Sequence, residues 1–382
     1  NSAGRPIFKL EKNGSIMTLS QSDPSHQGRN WPQTFKIRNG EKAYEVTIGE
    51  EPIDLEISTK APLLINADGA GYGLFPIENN LLREKWDLLT DLERASAFIS
   101  LYEQTLNANQ QIKPYQYMEL IIWAINRENN PLIINHLMRQ TVALYWSYLN
   151  PIERDAIAQK LEQVLWKEIN SKQKTIGERK IYFKTYANIA ITDQSVQRLI
   201  HIWDNSETIE GLMLTIRDYT ELAAILAIKR PDQAITIINQ QSQKIENPDR
   251  QRRFEFIRTA LSPDQHIRDQ FFETLKNPEN RKIEAWVLTA LNYLHHPLRL
   301  KQSEKYLKPS LDLLQEIQIT GDLFFPGRWV EANFKNYKSD SAVAIVRSFL
   351  KEKPDYNKQL TLKILQGADR LFKANKIIKP IH

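Results

Sequence analysis

Apolar positions along this chain keep two different periods. Phe35 and Ile37 alternate with polar neighbours, Asn39-Gly40 follows, and Tyr44, Val46 and Ile48 alternate again. Asn-Gly between two such runs predicts a hairpin with a type I′ turn, which needs positive φ at both central residues. Ile53, Leu55 and Ile57 predict a further strand, and Ile16-Met17-Thr18-Leu19-Ser20 and Leu63-Leu64-Ile65 predict two more. Short, half-buried strands with frequent turns predict a small antiparallel β-sandwich over residues 1–78. Gly69, Gly71 and Gly73 crowd the segment that follows the strands. Their spacing fits neither the dinucleotide fingerprint nor the P-loop, and no βαβ unit surrounds them. They predict a tight connection into a last strand, Tyr72 to Ile77.

From residue 79 to residue 382 the period changes to that of a helix. Ile157, Leu161, Val164 and Leu165 follow the i, i+4, i+7, i+8 spacing, and Ala342, Ile345, Val346, Phe349 and Leu350 form a second such stripe. Asn130-Pro131, Asn150-Pro151, Asn247-Pro248, Ser262-Pro263 and Asn277-Pro278 each set a capping side chain before a proline. Proline suits the first helical position, and Asn or Ser satisfies an orphan N–H. Arg230-Pro231 is a weaker version of the same signal. Acids follow at Asp232, Asp249, Asp264 and Glu279, where the helix dipole favours negative charge. Such helices cannot bury their apolar faces alone, so they predict an all-α superhelical array of the HEAT or armadillo kind. No strict long repeat is visible, so the array is degenerate.

Composition narrows the chemistry. With 41% hydrophobic and 25% charged residues the chain has the composition of a globular protein. No apolar run reaches the ~18 residues of a membrane span. Cysteine is absent, which removes disulfides, thiolate metal sites and a cysteine nucleophile. The net charge of +5 is dispersed, with 51 Lys and Arg against 46 Asp and Glu. Its densest basic cluster, Arg250, Arg252 and Arg253, reads as a solvated helix face, so no nucleic-acid partner is expected.

No catalytic constellation is legible. The seven histidines (26, 136, 201, 266, 295, 296 and 382) include no pair four apart, so no helix offers His-x-x-x-His to a metal. His295 and His296 are adjacent and read as surface or capping residues. There is no Gly-x-Ser-x-Gly elbow. Met118-Glu119 has the wrong neighbours for a peptidase substrate-binding motif and reads as an ordinary helical turn. The tryptophans at 86, 123, 146, 166, 203 and 286 read as packing between helices. Taken alone, these residues support a binding or scaffolding module.

Several short elements resemble the C-terminal half of a gluzincin zinc aminopeptidase of the aminopeptidase N family. They are Gly4-Arg5-Pro6, Leu19-Ser20-Gln21, Trp31-Pro32 ahead of Phe35 and Ile37, Asn66 with Gly71 and Tyr72, and Phe324-Phe325-Pro326-Gly327-Arg328-Trp329. In that family a thermolysin-like catalytic domain precedes a small β-sandwich and a long helical domain. Gly73 and Leu74 stand where the family has Tyr and Arg, so no ligand role is carried over to that loop. The His-Glu-x-x-His helix, its distal Glu and the Gly-x-Met-Glu-Asn strand are not in this sequence.

The resemblance implies a segment of a longer, zinc-dependent aminopeptidase, with the metal in a domain upstream of Asn1. It implies no catalytic and no metal-binding residue in this chain. It implies a helical bowl that encloses the catalytic cavity and helps to bind peptide substrates. Arg328, beside Gly327 and aromatic residues, is the one candidate for reading a substrate carboxylate. The bacterial character of the resemblance implies a periplasmic or exported home, with no targeting segment to support it. Two other functions fit the residues alone: a free-standing helical-repeat adaptor for a protein or peptide, and a nucleic-acid-binding solenoid suggested only by the pI near 9.0.

Overall fold

The computed structural model describes residues 4–14, 16–58, 60–107 and 112–378. The architecture is mixed, with six strands at the N-terminal end and helices thereafter. The chain divides into two compact units, Asn1–Gln140 and Thr141–His382.

In the first unit, strands β1 (Ile7–Asn13), β2 (Ile16–Ser22), β3 (Gln33–Asn39), β4 (Lys42–Ile48), β5 (Ile53–Leu55) and β6 (Leu63–Leu64) make two three-stranded sheets. Their orders are β1-β2-β5 and β4-β3-β6, and every pairing is antiparallel. Alternation decides which side chains face inward. Phe8, Met17, Leu19, Phe35, Ile37 and Ile48 are buried in one shared core. Phe8 stacks on Phe75 with ring centres 4.4 Å apart, and Phe35 meets both edge-on at 5.7 and 5.2 Å.

Two local expectations change, and one strand is added to those the pattern predicts. The β3–β4 loop is Gly40-Glu41, because Asn39 already pairs with Lys42 in the ladder. Only Gly40 has positive φ, at 61°, so the turn is of the II′ pattern and not I′. Asn39 turns its side chain to the Ser58 backbone, bonding both its N–H and its carbonyl. The strand predicted over Tyr72–Ile77 reduces to two single bridges, Ile7 with Leu74 and Leu64 with Ile77. The glycines explain it: a Cβ on Gly73 would sit 2.5 Å from Phe8 Cε2, and one on Gly71 would sit 2.7 Å from Phe75 Cζ. They let the backbone close over the aromatic core, where a regular strand would keep it at side-chain distance. Finally, β1 lacks a long apolar alternation, since Lys9, Glu11, Lys12 and Asn13 dominate it. Its full-length pairing with β2 makes it a strand.

Helices α1 (Leu81–Lys85), α2 (Asp91–Thr105), α3 (Pro114–Ile125) and α4 (Pro131–Ala143) follow. A capping box of Thr90 and Glu93 starts α2, and Asn130 starts α4 by accepting the Leu132 N–H at 3.0 Å. Glu128, fully buried between α3 and α4, accepts from Arg94 Nε at 2.9 Å and from the Asn129 and Asn130 N–H groups. Trp86 and Trp123 meet edge-on at 5.2 Å, with Arg94 over the first ring and Arg127 over the second.

The second unit begins as stacked helical pairs. These are α5 (Pro151–Ile169), α6 (Ile176–Ile189), α7 (Asp193–Trp203), α8 (Ile216–Lys229), α9 (Ala234–Gln243), α10 (Pro248–Leu261), α11 (Gln265–Thr274) and α12 (Glu284–Leu294). The even-numbered members lie side by side in sequence order, and α5, α7, α9 and α11 pack against them. Capping side chains punctuate the series at Asn150, Thr175, Thr192, Thr215 and Asn247. Two expected starts shift. Asp264 caps α11, and Ser262 supports it by accepting the Asp264 N–H at 3.1 Å. Asn277 caps a single 3-10 turn, Pro278–Arg281.

Beyond α12 come the short helices α13 (Leu300–Ser303), α14 (Leu307–Asp312) and α15 (Leu314–Thr320). The longer α16 (Phe325–Phe334), α17 (Asp340–Glu352), α18 (Lys358–Gly367) and α19 (Asp369–Ile378) complete the series. The side-by-side row continues from α12 to α16 and from α16 to α18. Gly367 permits the last crossing, since a Cβ there would lie 2.7 Å from Val330 Cγ1 and 3.0 Å from the Glu331 nitrogen. The end of the unit returns to its beginning: α19 packs on the π-helical turn Leu144–Tyr148. Lys338 Nζ donates to the carbonyls of Trp146 at 3.1 Å and Leu149 at 2.8 Å.

Candidate binding site

Two helices of the second unit present matching stripes. On α8, Arg217, Thr220, Glu221 and Ala224 share one face, at i, i+3, i+4 and i+7. On α10, Arg250, Arg253, Phe254 and Ile257 repeat that spacing. Together with Ile245 and Tyr293 these residues line a cavity of about 310 Å³. Ala224, Ile245, Phe254 and Ile257 are buried and form its apolar floor, while the guanidinium groups stand at its rim. A second cavity of about 220 Å³ adjoins it, lined from α6 and α8 by Phe183, Lys184, Ala187, Asn188, Asp218 and Leu222. Glu221 lines both. The two cavities lie on either side of α8, so together they form a strip across α6, α8, α10 and α12.

The charges along this strip differ in how far they are compensated. Arg217 Nε donates to Glu221 at 2.8 Å, and that hydrogen bond raises the Arg217 pKa. Burial alone would raise the Asp218 carboxyl, but Lys180 at 2.7 Å and the Thr215 cap hold it below its ordinary value. Arg250 and Arg253 have no carboxylate within ion-pair distance among the described residues; the guanidinium of Arg253 reaches only the Thr289 hydroxyl, at 3.4 Å. Arg252, between them in sequence, is exposed and bonds Asp249 on its own helix. Burial, and then the charge of Glu221, push the Tyr293 hydroxyl up to about 12 against the pull of Arg253. It therefore remains a hydrogen-bond donor at neutral pH. The first cavity thus offers two unspent guanidinium forks, one phenol and an apolar floor.

Arg328 lies elsewhere. It is exposed in the first turn of α16, with its guanidinium 5.9 Å from the centre of the Phe324 ring. Its charge acts on Asp322 and Glu284, whose carboxyls stand beside the same turn. It lines neither cavity described above. His295 and His296 are buried rather than on the surface. His296 caps the Pro297–Arg299 turn by accepting the Leu298 N–H, and His295 Nδ1 lies 2.8 Å from the Tyr337 hydroxyl. The Arg250 and Arg253 pair escapes a charge count because it looks like a solvated face. The signal was the i, i+3, i+4, i+7 spacing that ties both arginines to Phe254 and Ile257. No group of three or more His, Asp or Glu side chains among the described residues is placed to hold a metal ion. The described residues therefore offer no set of ligands for a zinc ion.

The fold and this strip define a helical-array protein with a ligand-sized concavity and a β-sheet unit at its N-terminal end. A segment of 156 residues, 40% of the chain, is 23% identical to an aminopeptidase N of Streptomyces lividans. The match spans 18% of that protein. No known family's sequence profile matches the chain. The likeness to an aminopeptidase is therefore weak and partial. Among the described residues, no helix is long and apolar enough to cross a membrane.

Proposed function

We propose that this chain is the non-catalytic C-terminal portion of a zinc-dependent aminopeptidase, enclosing the active-site cavity and helping to bind peptide substrates. The β-domain would be residues 1–78 and the helical domain residues 79–382. The observation that supports the binding role is the strip across α6–α12, whose two cavities combine apolar floor with polar rim. The partial likeness to aminopeptidase N supports peptides as the substrate class. The catalytic zinc would be held by three protein ligands in another domain. Binding energy collected along the strip would position a peptide and be felt as length or C-terminal preference. Arg328 remains a second candidate contact, with its charge partly offset by Asp322 and Glu284.

Two measurements test this. The reading frame upstream of Asn1 is expected to encode His-Glu-x-x-His about 200 to 250 residues before Gly4, as the usual domain size suggests. The longer protein is expected to release N-terminal residues from peptides and to lose that activity to a chelator, whereas the 382-residue chain with added zinc does not. A frame that lacks the motif, or chelator-sensitive turnover by the chain itself, overturns the proposal. A frame that starts just before Asn1 would make a free-standing peptide-binding adaptor the better account.

A further inference from the structure

The cavity between α8 and α10 is built for one kind of ligand. We infer that it binds a carboxylate carried on an apolar body, with Arg250 and Arg253 as the anion-reading pair. This deepens the peptide-binding proposal, since the C-terminal residue of a peptide has that chemistry; a free aliphatic acid has it too.

Charge gives the first argument. Four charged side chains line the cavity: Arg217, Glu221, Arg250 and Arg253. Arg217 and Glu221 neutralise each other at 2.8 Å, which leaves two positive charges without an acid beside them. Guanidinium forks match a carboxylate in a planar, bidentate way. The Tyr293 hydroxyl, held protonated, adds a donor that repels no anion.

Shape gives the second. Ala224, Ile245, Phe254 and Ile257 are buried apolar residues, and a bare inorganic anion would leave that floor wetted to no purpose. A cavity of about 310 Å³ lies at the small end of the ~300–1,000 Å³ typical of ligand sites. That suits one amino-acid residue or a short acyl chain. Glu221, on the same wall, also disfavours a dianion such as phosphate more than a monoanion.

The test is calorimetric titration of the 382-residue chain at low salt. The probes are N-acetyl-leucine, N-acetyl-leucinamide, hexanoate, the tripeptide Ala-Ala-Leu and inorganic phosphate. N-acetyl-leucine is expected to bind at least tenfold more tightly than its amide, and to weaken as salt rises, because Arg250 is exposed and screened. The double variant Arg250→Gln/Arg253→Gln should lose tenfold or more, with its circular dichroism unchanged. Arg252→Gln should bind as the parent does. Tighter binding of N-acetyl-leucine and Ala-Ala-Leu than of hexanoate assigns the site to a peptide C-terminus; the reverse order assigns it to a free acid, and either supports the shared chemistry. Equal affinity for acid and amide, undiminished binding by the double variant, tighter binding of phosphate, or no binding of any carboxylate overturns it. None of these results depends on an upstream catalytic domain, so this inference and the peptidase proposal fail separately.

Discussion

Moving the chain from pH 7.0 to pH 5.0 places two protons on the unfolded state that the native state refuses. Burial drives the pKa of His295 from the ordinary value near 6.5 down to about 3, and burial together with the charges of Lys229 and Arg299 brings His296 to about the same value. Geometry agrees, because a proton on His296 Nδ1 would displace the Leu298 N–H that it accepts. Above pH 6.5 neither state holds these protons. Between 6.5 and 3 the unfolded chain binds them and the native chain does not, so stability falls as pH falls. At 1.36 kcal/mol per unit, and with unfolded histidine titrating near 6.5, each ring costs about 2 kcal/mol at pH 5.0 relative to pH 7.0. Together they cost about 4 kcal/mol, a large share of a typical folding free energy of ~5–15 kcal/mol. The figure does not depend on whether the native pKa is 3 or 4, because both lie well below pH 5. Stopping at pH 5 also avoids the protonation of Asp269, whose pKa of about 2 matters only in stronger acid. His136, lowered by burial and by Arg139, adds loss in the same direction in the first unit. Urea unfolding followed by tryptophan fluorescence at pH 7.0, 6.0 and 5.0 measures the slope. His295→Gln and His296→Gln should each remove about half of the pH-dependent loss, whatever they cost at pH 7. A parent chain equally stable at pH 5 and 7, or a double variant with the parent's slope, refutes the argument.

Glu128→Gln should destabilise the first unit by about 3 kcal/mol in urea melts, because Arg94 keeps only Asp91 at 2.6 Å as a charged partner once the buried acid is gone. Gly367→Ala should cost ~1–3 kcal/mol through overpacking against Val330, and Gly367→Ala with Val330→Ala should recover part of it. In the longer enzyme, Arg328→Ala is expected to raise KM for free-acid peptides less than threefold, since Asp322 and Glu284 already offset its charge. A tenfold change confined to free-acid peptides would instead make Arg328 a carboxylate contact.

Much of the fold is visible in the order of residues. Phe35 and Ile37, and Ile157 with Leu161 and Leu165, face inward because their period matches strand or helix. The Asn-Pro signals at 150 and 247 mark helix starts because cap and proline act on the same few backbone groups. Other features depend on partners distant in sequence. β1 is polar and exists because β2 pairs with it along its whole length. The Tyr72–Ile77 segment is held off a regular ladder by Phe8 and Phe75, which only the folded core brings to Gly71 and Gly73. Asn39-Gly40 is shifted by one residue because Asn39 has a better use in the ladder and at Ser58. The binding cavity needed α8 beside α10, a contact between helices whose facing stripes begin at Arg217 and Arg250. In the sequence the cluster at Arg250, Arg252 and Arg253 reads as a solvated helix face, and only packing shows two of these arginines beside an apolar floor.

The contact of Lys338 with Trp146 and Leu149 joins residues 192 and 189 positions apart. An open solenoid is a spring: it stretches, and its last repeats fray first. The second unit, with α19 seated on Leu144–Tyr148, is a fastened belt. Fastening removes the free end from which hydrogen exchange would spread, and it fixes the circumference against which the cavities are shaped. It also makes the position of the ends arbitrary. A permuted chain that joins Ile378 to Thr141 by a short linker and opens at the exposed Glu210-Gly211 turn should keep the same ring of helices.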